Sequence, residues 1–268
     1  MEEAAKRQIP VMILDRPNPI NGVTCDGPML DEGIRSIVGY INVPYCHGMT
    51  VGELALYFND ENKLGCSLEI IPMKGWRRSM SFKDTGLSWI PTSPFVPEPD
   101  TPIYYPITGI LGEVGVVSIG VGYTLPFKLV GAPWINAFQL SDAMNNCRLQ
   151  GVAFSPFFFR PFYGKYKGEN CQGILISVTD PLRYKPLSVL YALIDTLKKL
   201  YYQQFTDTLK SGNRKEMFGK VFGTHKAWDL LTERRSISTE LRALHEKERR
   251  AFMEKRVRYL NPAYSGSS

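Results

Sequence analysis

The chain has 268 residues, 44% of them hydrophobic and 12% aromatic, with a net charge of +6. Length and apolar content suffice for a globular core of one large or two modest domains, and no run of about eighteen apolar residues exists that would cross a membrane as a helix. The five cysteines (Cys25, Cys46, Cys66, Cys147, Cys171) lie scattered without CxxC or Cys/His spacing, so they read as small buried apolar residues with at most one bridge, and no metal site is expected.

The opening MEEAAKRQIP mixes acid and base and is unlike a signal peptide, so any export signal would lie outside this chain and localisation stays open. Residues 2–8 read as the last turns of a helix that feeds a strand over Pro10 to Leu14. The turn-rich DRPNPINGVTCDGP follows and places Asp15, Arg16 and Asn18 at the carboxyl end of that strand, where α/β sheets build their sites. A competing reading has Asp15 paired with Arg16 to staple the loop. With no strand before it, this first strand is expected to be an orphan.

A short amphipathic stretch over Glu32 to Asn42 leads into PYCHGMTVGELALYFN, Pro44 to Asn59. Thr50 stands where a helix N-cap belongs, and Glu53 three residues later completes a capping box. Leu54, Leu56, Tyr57 and Phe58 supply the buried face, while Gly48 turns the backbone so that His47 points away from it. His47 either packs in this loop or is presented to a site, and Glu53 either caps only or also serves that site.

Leu68 to Met73 is an apolar run of strand length. PMKGWRR follows, and Pro91 to Pro106 reads as an extended loop studded with aromatics. Trp76, Trp89, Tyr104 and Tyr105 offer flat faces on which sugars stack, or they cover the core. Ile110 to Phe127 reads as a strand whose site-facing positions (Val116, Ile119, Val121, Leu125) are aliphatic. Residues 151–180 give two strands around FYGKYKGENCQG, and Leu187 to Leu209 repeats apolar residues at three and four, a core helix. Between 233 and 258, nine Lys or Arg stand against five Glu at helical spacing with Leu241, Leu244, Phe252 and Val257. That pattern is a solvated helix face rather than a nucleic-acid or membrane patch, since no aromatics interleave with the charges. Ser265 to Ser268 reads as a frayed tail.

HGMTxGELA, DRPNP and GAPW (Gly131 to Trp134), together with PMKGWRR, TGLSWIPTSPFVP and the KYxGxxCxG run that holds Lys165, Tyr166 and Cys171, resemble the DUF1343 family in order along almost the whole chain. The characterised activity of that family is exo-acting β-N-acetylmuramidase cleavage of peptidoglycan fragments. The resemblance implies a mixed α/β to α+β fold with flanking helices. It assigns residues 1–27 to the edge of a Rossmann-like N-terminal half and 28–268 to the C-terminal domain. It also implies that most of that half is absent, together with a GPEHG-type segment whose glutamate is the family's leading catalytic candidate. Implied partners are MurNAc-containing peptidoglycan fragments and a separately encoded N-terminal half; no cofactor, nucleic acid or membrane insertion is implied. The chain departs from the family after Glu113, where usual amide and charged groups are replaced by aliphatic side chains, with the loss of an arginine that would bind a carboxylate in two-point fashion.

A glycosidase needs two carboxyl groups flanking the scissile bond. The resemblance and the loop chemistry together make Glu113 and His47 the catalytic candidates, and Asp15, Arg16, Asn18, Thr50, Glu53 and Tyr166 the substrate-binding ones. Glu53 has a competing capping role, and a carboxylate tied to amides is a poor general acid. Two functions therefore stand: an exo-β-N-acetylmuramidase-like hydrolase module, or a cell-wall-fragment-binding protein without catalysis.

Overall fold

A short helix α1 (Glu2–Lys6) precedes strand β1 (Val11–Leu14), and β1 is not an orphan: it pairs in parallel with β2 (Leu68–Ile71), Val11 opposite Leu68 and Leu14 opposite Ile71. Between them lies helix α2 (Val51–Glu61), so residues 11–71 form a parallel β-α-β unit. The expectation of an unpaired strand missed this because a parallel partner needs a long crossover. The computed structural model describes residues 1–265; of the expected frayed tail, residues 266–268 lie outside the described residues.

Helix α3 (Thr101–Val114) replaces both the extended loop expected through Pro106 and the beginning of the strand expected from Ile110. Pro102 sits in the first turn, where its missing N–H costs nothing, but Pro106 lies inside the helix. An internal proline costs about 3 kcal/mol. Ile103, Ile107, Ile110, Leu111 and Val114 are all buried in the main core, and each buried aliphatic side chain contributes about 1.5–3 kcal/mol, so burial wins over local propensity. Gly115, at φ +75°, ends the helix, and residues 115–128 run as an irregular loop. Val116, Ile119 and Val121 pack on the main core and Leu125 on a smaller cluster, so they face inward rather than toward a site.

A second sheet is antiparallel, in the order β3 (Leu129–Ala132), β5 (Cys171–Val178), β4 (Val152–Phe159), with helix α4 (Ala137–Asn146) between β3 and β4. A Cβ on Gly173 would lie 1.9 Å from the Val130 carbonyl, so only glycine allows β3 and β5 to approach as they do. The remaining helices are α5 (Pro186–Leu200), α6 (Tyr202–Ser211), α7 (Lys215–Phe222), α8 (Lys226–Glu233), α9 (Ser238–Ala243) and α10 (Glu246–Arg256). The single helix expected over 187–209 is thus two, broken at Tyr201 with φ −134°. The stretch 32–42 forms no helix.

The main core joins α3, α5 and the inner face of the antiparallel sheet. A satellite of Met29, Met49, Tyr57, Phe252 and Tyr259 seats α10 and the turn after it on α2. This second cluster brings the far carboxyl end of the chain beneath the His47 loop. All five cysteines are free, and Cys147 is exposed rather than buried. No helix among the described residues is long and apolar enough to cross a membrane.

Candidate functional site

The capping box exists as expected: the Glu53 N–H donates to Thr50 Oγ1 at 3.2 Å and the Thr50 N–H to Glu53 Oε2 at 3.0 Å. Both residues are buried to 1% exposure, so neither side chain reaches solvent. Glu53 is further engaged by the guanidinium of Arg78, from PMKGWRR, in a two-point ion pair, and by the Asn261 N–H at 2.8 Å. Every carboxylate lone pair of use to a ligand is already occupied.

Asp15, just past β1, is equally occupied. Its Oδ2 accepts from Thr50 Oγ1 and the Tyr264 hydroxyl, both at 2.7 Å, and its Oδ1 from the Gly52 and Arg16 N–H groups at 2.9 and 3.0 Å. The carboxylate sits at the amino end of α2, where free N–H groups and the helix dipole favour negative charge. The Asp15–Arg16 side-chain pair does not form among the described residues; only the Arg16 backbone amide bonds the carboxylate. Tyr264 is held as a neutral donor, its pKa pushed up to about 12 by burial and by the Asp15 carboxylate. Asn18 donates to the Met49 carbonyl and accepts from the Ile20 N–H, each at 3.0 Å, which shapes the DRPNP turn.

These contacts wall one side of an open cavity of about 1330 Å³. Arg16 and His47 line it from this side, and Trp89, Tyr105 and Lys220 from others. Its wall is mostly apolar, and among the described residues it contains no Asp or Glu. The His47 Nδ1 accepts from the Met49 N–H at 3.1 Å, which leaves Nε2 to carry the proton of the neutral ring. Burial, with the nearby Arg256 guanidinium acting in the same direction, lowers the imidazole pKa to about 4. His47 is therefore a neutral hydrogen-bond donor at neutral pH.

Of the residues singled out from sequence, Arg16, Asn18 and His47 meet at the cavity, and Asp15, Thr50 and Glu53 stand behind its wall as the framework. Glu113, on α3, and Tyr166 are not brought there. The Tyr166 hydroxyl accepts from Trp134 Nε1 at 3.0 Å and donates to the Val116 carbonyl at 2.9 Å, tying the GAPW turn to the loop after α3. Of the four aromatics offered as sugar platforms, Trp89 and Tyr105 line the cavity, whereas Trp76 and Tyr104 are buried. Sequence reasoning missed Arg78, Arg256 and Tyr264, whose partners lie 25 to 249 residues away. No local signal marks such pairs.

A β-α-β unit with its cavity at the strand's carboxyl end, joined to an antiparallel sheet packed on helices, makes this a mixed α/β protein of the strand-end-site kind. Family models described as exo-β-N-acetylmuramidase NamZ, N-terminal and C-terminal, match residues 1–100 and 103–261. The chain is 35% identical over 260 residues to a Bacillus subtilis (strain 168) protein named peptidoglycan β-N-acetylmuramidase NamZ, covering 97% of this chain and 61% of the relative. Among solved structures, a DUF1343 family protein from Bacteroides fragilis NCTC 9343 superposes with a TM-score of 0.90 at 35% identity, covering 97% of this chain and 68% of that one. A second DUF1343 protein from the same strain gives 0.68 at 26% identity, with the same coverage. The chain belongs to the NamZ (DUF1343) family, and it spans 61% of the length of the Bacillus relative. The matches divide it between residues 100 and 103, and because the N-terminal model finds its match here, the expectation of a chain reduced to its C-terminal part draws no support.

Proposed function

We propose that the chain works in peptidoglycan-sugar hydrolysis, taking the MurNAc end of a small cell-wall fragment into the cavity walled by Arg16, His47, Trp89 and Tyr105. The observation that carries this reading is the 35% identity, over 97% of the chain, to a protein named peptidoglycan β-N-acetylmuramidase. The cavity chemistry is compatible with it. A neutral His47 offers a donor to a sugar oxygen, Arg16 offers a cation to a carboxylate, and the aromatic walls offer flat apolar faces to the ring. Asp15, Thr50 and Glu53 act in this reading by holding the wall, not by touching sugar.

One observation favours a second reading, binding without turnover: glycosidic cleavage by the usual route needs two carboxyl groups, and no carboxylate lines the cavity among the described residues. The deciding experiment incubates the full chain with a MurNAc-GlcNAc disaccharide and follows both binding by calorimetry and MurNAc release. Release that disappears in His47→Ala supports the hydrolase. Binding that weakens in His47→Ala with no release in either protein supports the binding module. Absence of both binding and release overturns the placement of the sugar in this cavity.

A further inference from the structure

Arg256 closes α10, more than two hundred residues from the loop it touches. Its Nη1 donates to the carbonyls of His47 at 2.7 Å and Gly48 at 3.1 Å, and its Nη2 approaches the Val23 carbonyl at 3.5 Å. The side chain is 9% exposed and has no carboxylate within ion-pairing distance among the described residues. A buried arginine spent on backbone carbonyls is an expensive arrangement, since desolvating a guanidinium without an anion leaves its charge uncompensated. The turn is shaped to receive it: Gly48 has φ +59°, and a Cβ there would lie 2.5 Å from Arg256 Nη1 and 2.8 Å from the Thr24 carbonyl.

We propose that Arg256 is a positioning residue of the cavity: its guanidinium, seated under the His47–Gly48 turn, fixes the direction in which the His47 ring enters the cavity and so the affinity for a sugar ligand. This rests on the functional reading above for the ligand, but not for the ring. The Nη1 bond to the His47 carbonyl and the Met49 N–H bond to Nδ1 grip the same residue from its backbone and its ring, so the imidazole has one orientation with Nε2 left free. The carboxyl-terminal segment repeats the same role further along, with Asn261 on Glu53 and Tyr264 on Asp15. Charged or titratable groups around the guanidinium are Cys25, Glu53 and Arg78, and Arg256 is the charged group that acts on His47.

The test uses the full chain with Arg256→Met and Arg256→Gln, following the His47 ring protons by NMR between pH 3.5 and 8, as a titration span set around the free-imidazole value, with His225 and His245 as internal references. Calorimetry with N-acetylmuramic acid runs in parallel. Burial, the larger cause of the low His47 value, stays in both variants, so the titration is expected to rise only part of the way from about 4. The ring orientation itself is read from ring-proton contacts to the Met49 amide, which are expected to persist in Arg256→Gln, where a donor for the His47 carbonyl remains, and to weaken in Arg256→Met. Affinity for the sugar acid is expected to fall about tenfold, equivalent to losing one fixed donor contact. Contacts between the ring and the Met49 amide that are unchanged in Arg256→Met overturn the proposal, even where stability drops, because an arginine that only stabilises the fold would change melting and not the ring. If Arg256→Met does not fold, Arg256→Lys, which keeps the charge but lacks the guanidinium fork, is expected to weaken the same ring contacts, and unchanged contacts there overturn the proposal. If the wild-type chain binds no N-acetylmuramic acid, the functional reading fails, while the ring contacts still decide whether Arg256 sets the ring.

Discussion

Replacing Asp15 with alanine would remove the acceptor that joins three parts of the chain: the end of β1, the amino end of α2 and the carboxyl-terminal turn. Four donors lose it at once, the hydroxyls of Thr50 and Tyr264 and the N–H groups of Gly52 and Arg16, the first three in a region where Asp15 is 8% exposed and Thr50 and Tyr264 are each 1% exposed. An orphaned buried donor costs about 1–3 kcal/mol. The two hydroxyls rotate and recover part of this, so the expected loss for Asp15→Ala is about 3–5 kcal/mol, against a total stability of about 5–15 kcal/mol for a typical domain. Asp15→Asn keeps the shape and one acceptor oxygen and is expected to cost about 1–2 kcal/mol. Urea unfolding reads both as a shift of midpoint at constant slope. The sharper check is the cycle with Tyr264→Phe: removing the hydroxyl in the Asp15→Ala background relieves one orphan, giving a coupling of about 1–2 kcal/mol. A loss under about 1 kcal/mol for Asp15→Ala, or an additive double mutant, would refute the claim that this carboxylate is the junction of the fold.

Three further outcomes follow from the same contacts. The unfolded chain protonates His47 near 6.5 and the native state only near 4, so between those values the unfolded state binds more protons; the wild type should lose up to about 3 kcal/mol relative to His47→Gln as pH falls from about 6.5 to 4, and parallel stability curves would contradict it. Arg78→Ala leaves the buried Glu53 carboxylate without its cation and is expected to cost about 3–5 kcal/mol by urea midpoint, with a value under 1 kcal/mol meaning that the capping amides alone hold the charge. In hydrogen exchange, the Val11 and Asp15 amides, bonded to the Ser67 and Ile71 carbonyls, should be protected while Met12 and Leu14 on the outer edge of β1 exchange fast; equal rates along the strand would show the β1–β2 pair opening as a unit.

Local signals in the sequence were enough for elements whose cause is local. The Thr50–Glu53 capping box is a matter of three-residue spacing, the hairpin strands over 152–178 are apolar runs around a glycine-rich loop, and the His47 turn is announced by Gly48; all are present. The mixed α/β class followed from the same patterns. What the sequence could not decide was whatever depended on a distant partner. Pro102 and Pro106 argue against a helix until the buried face of α3 is counted, and the aliphatic run at Val116 to Leu125 suggests a greasy site until its side chains are seen packing inward. The pairing of β1 with β2 needed the whole crossover. Arg256, Asn261 and Tyr264 gained their roles only when α10 folded back under the His47 loop, because hydrogen bonds across two hundred residues leave no periodicity in the chain, and Arg78 found Glu53 only through the β1–β2 crossover. For the same reason the sequence could nominate His47, Arg16 and Asn18 together, but only the tertiary structure could separate those at the cavity from Asp15 and Glu53, which hold its wall.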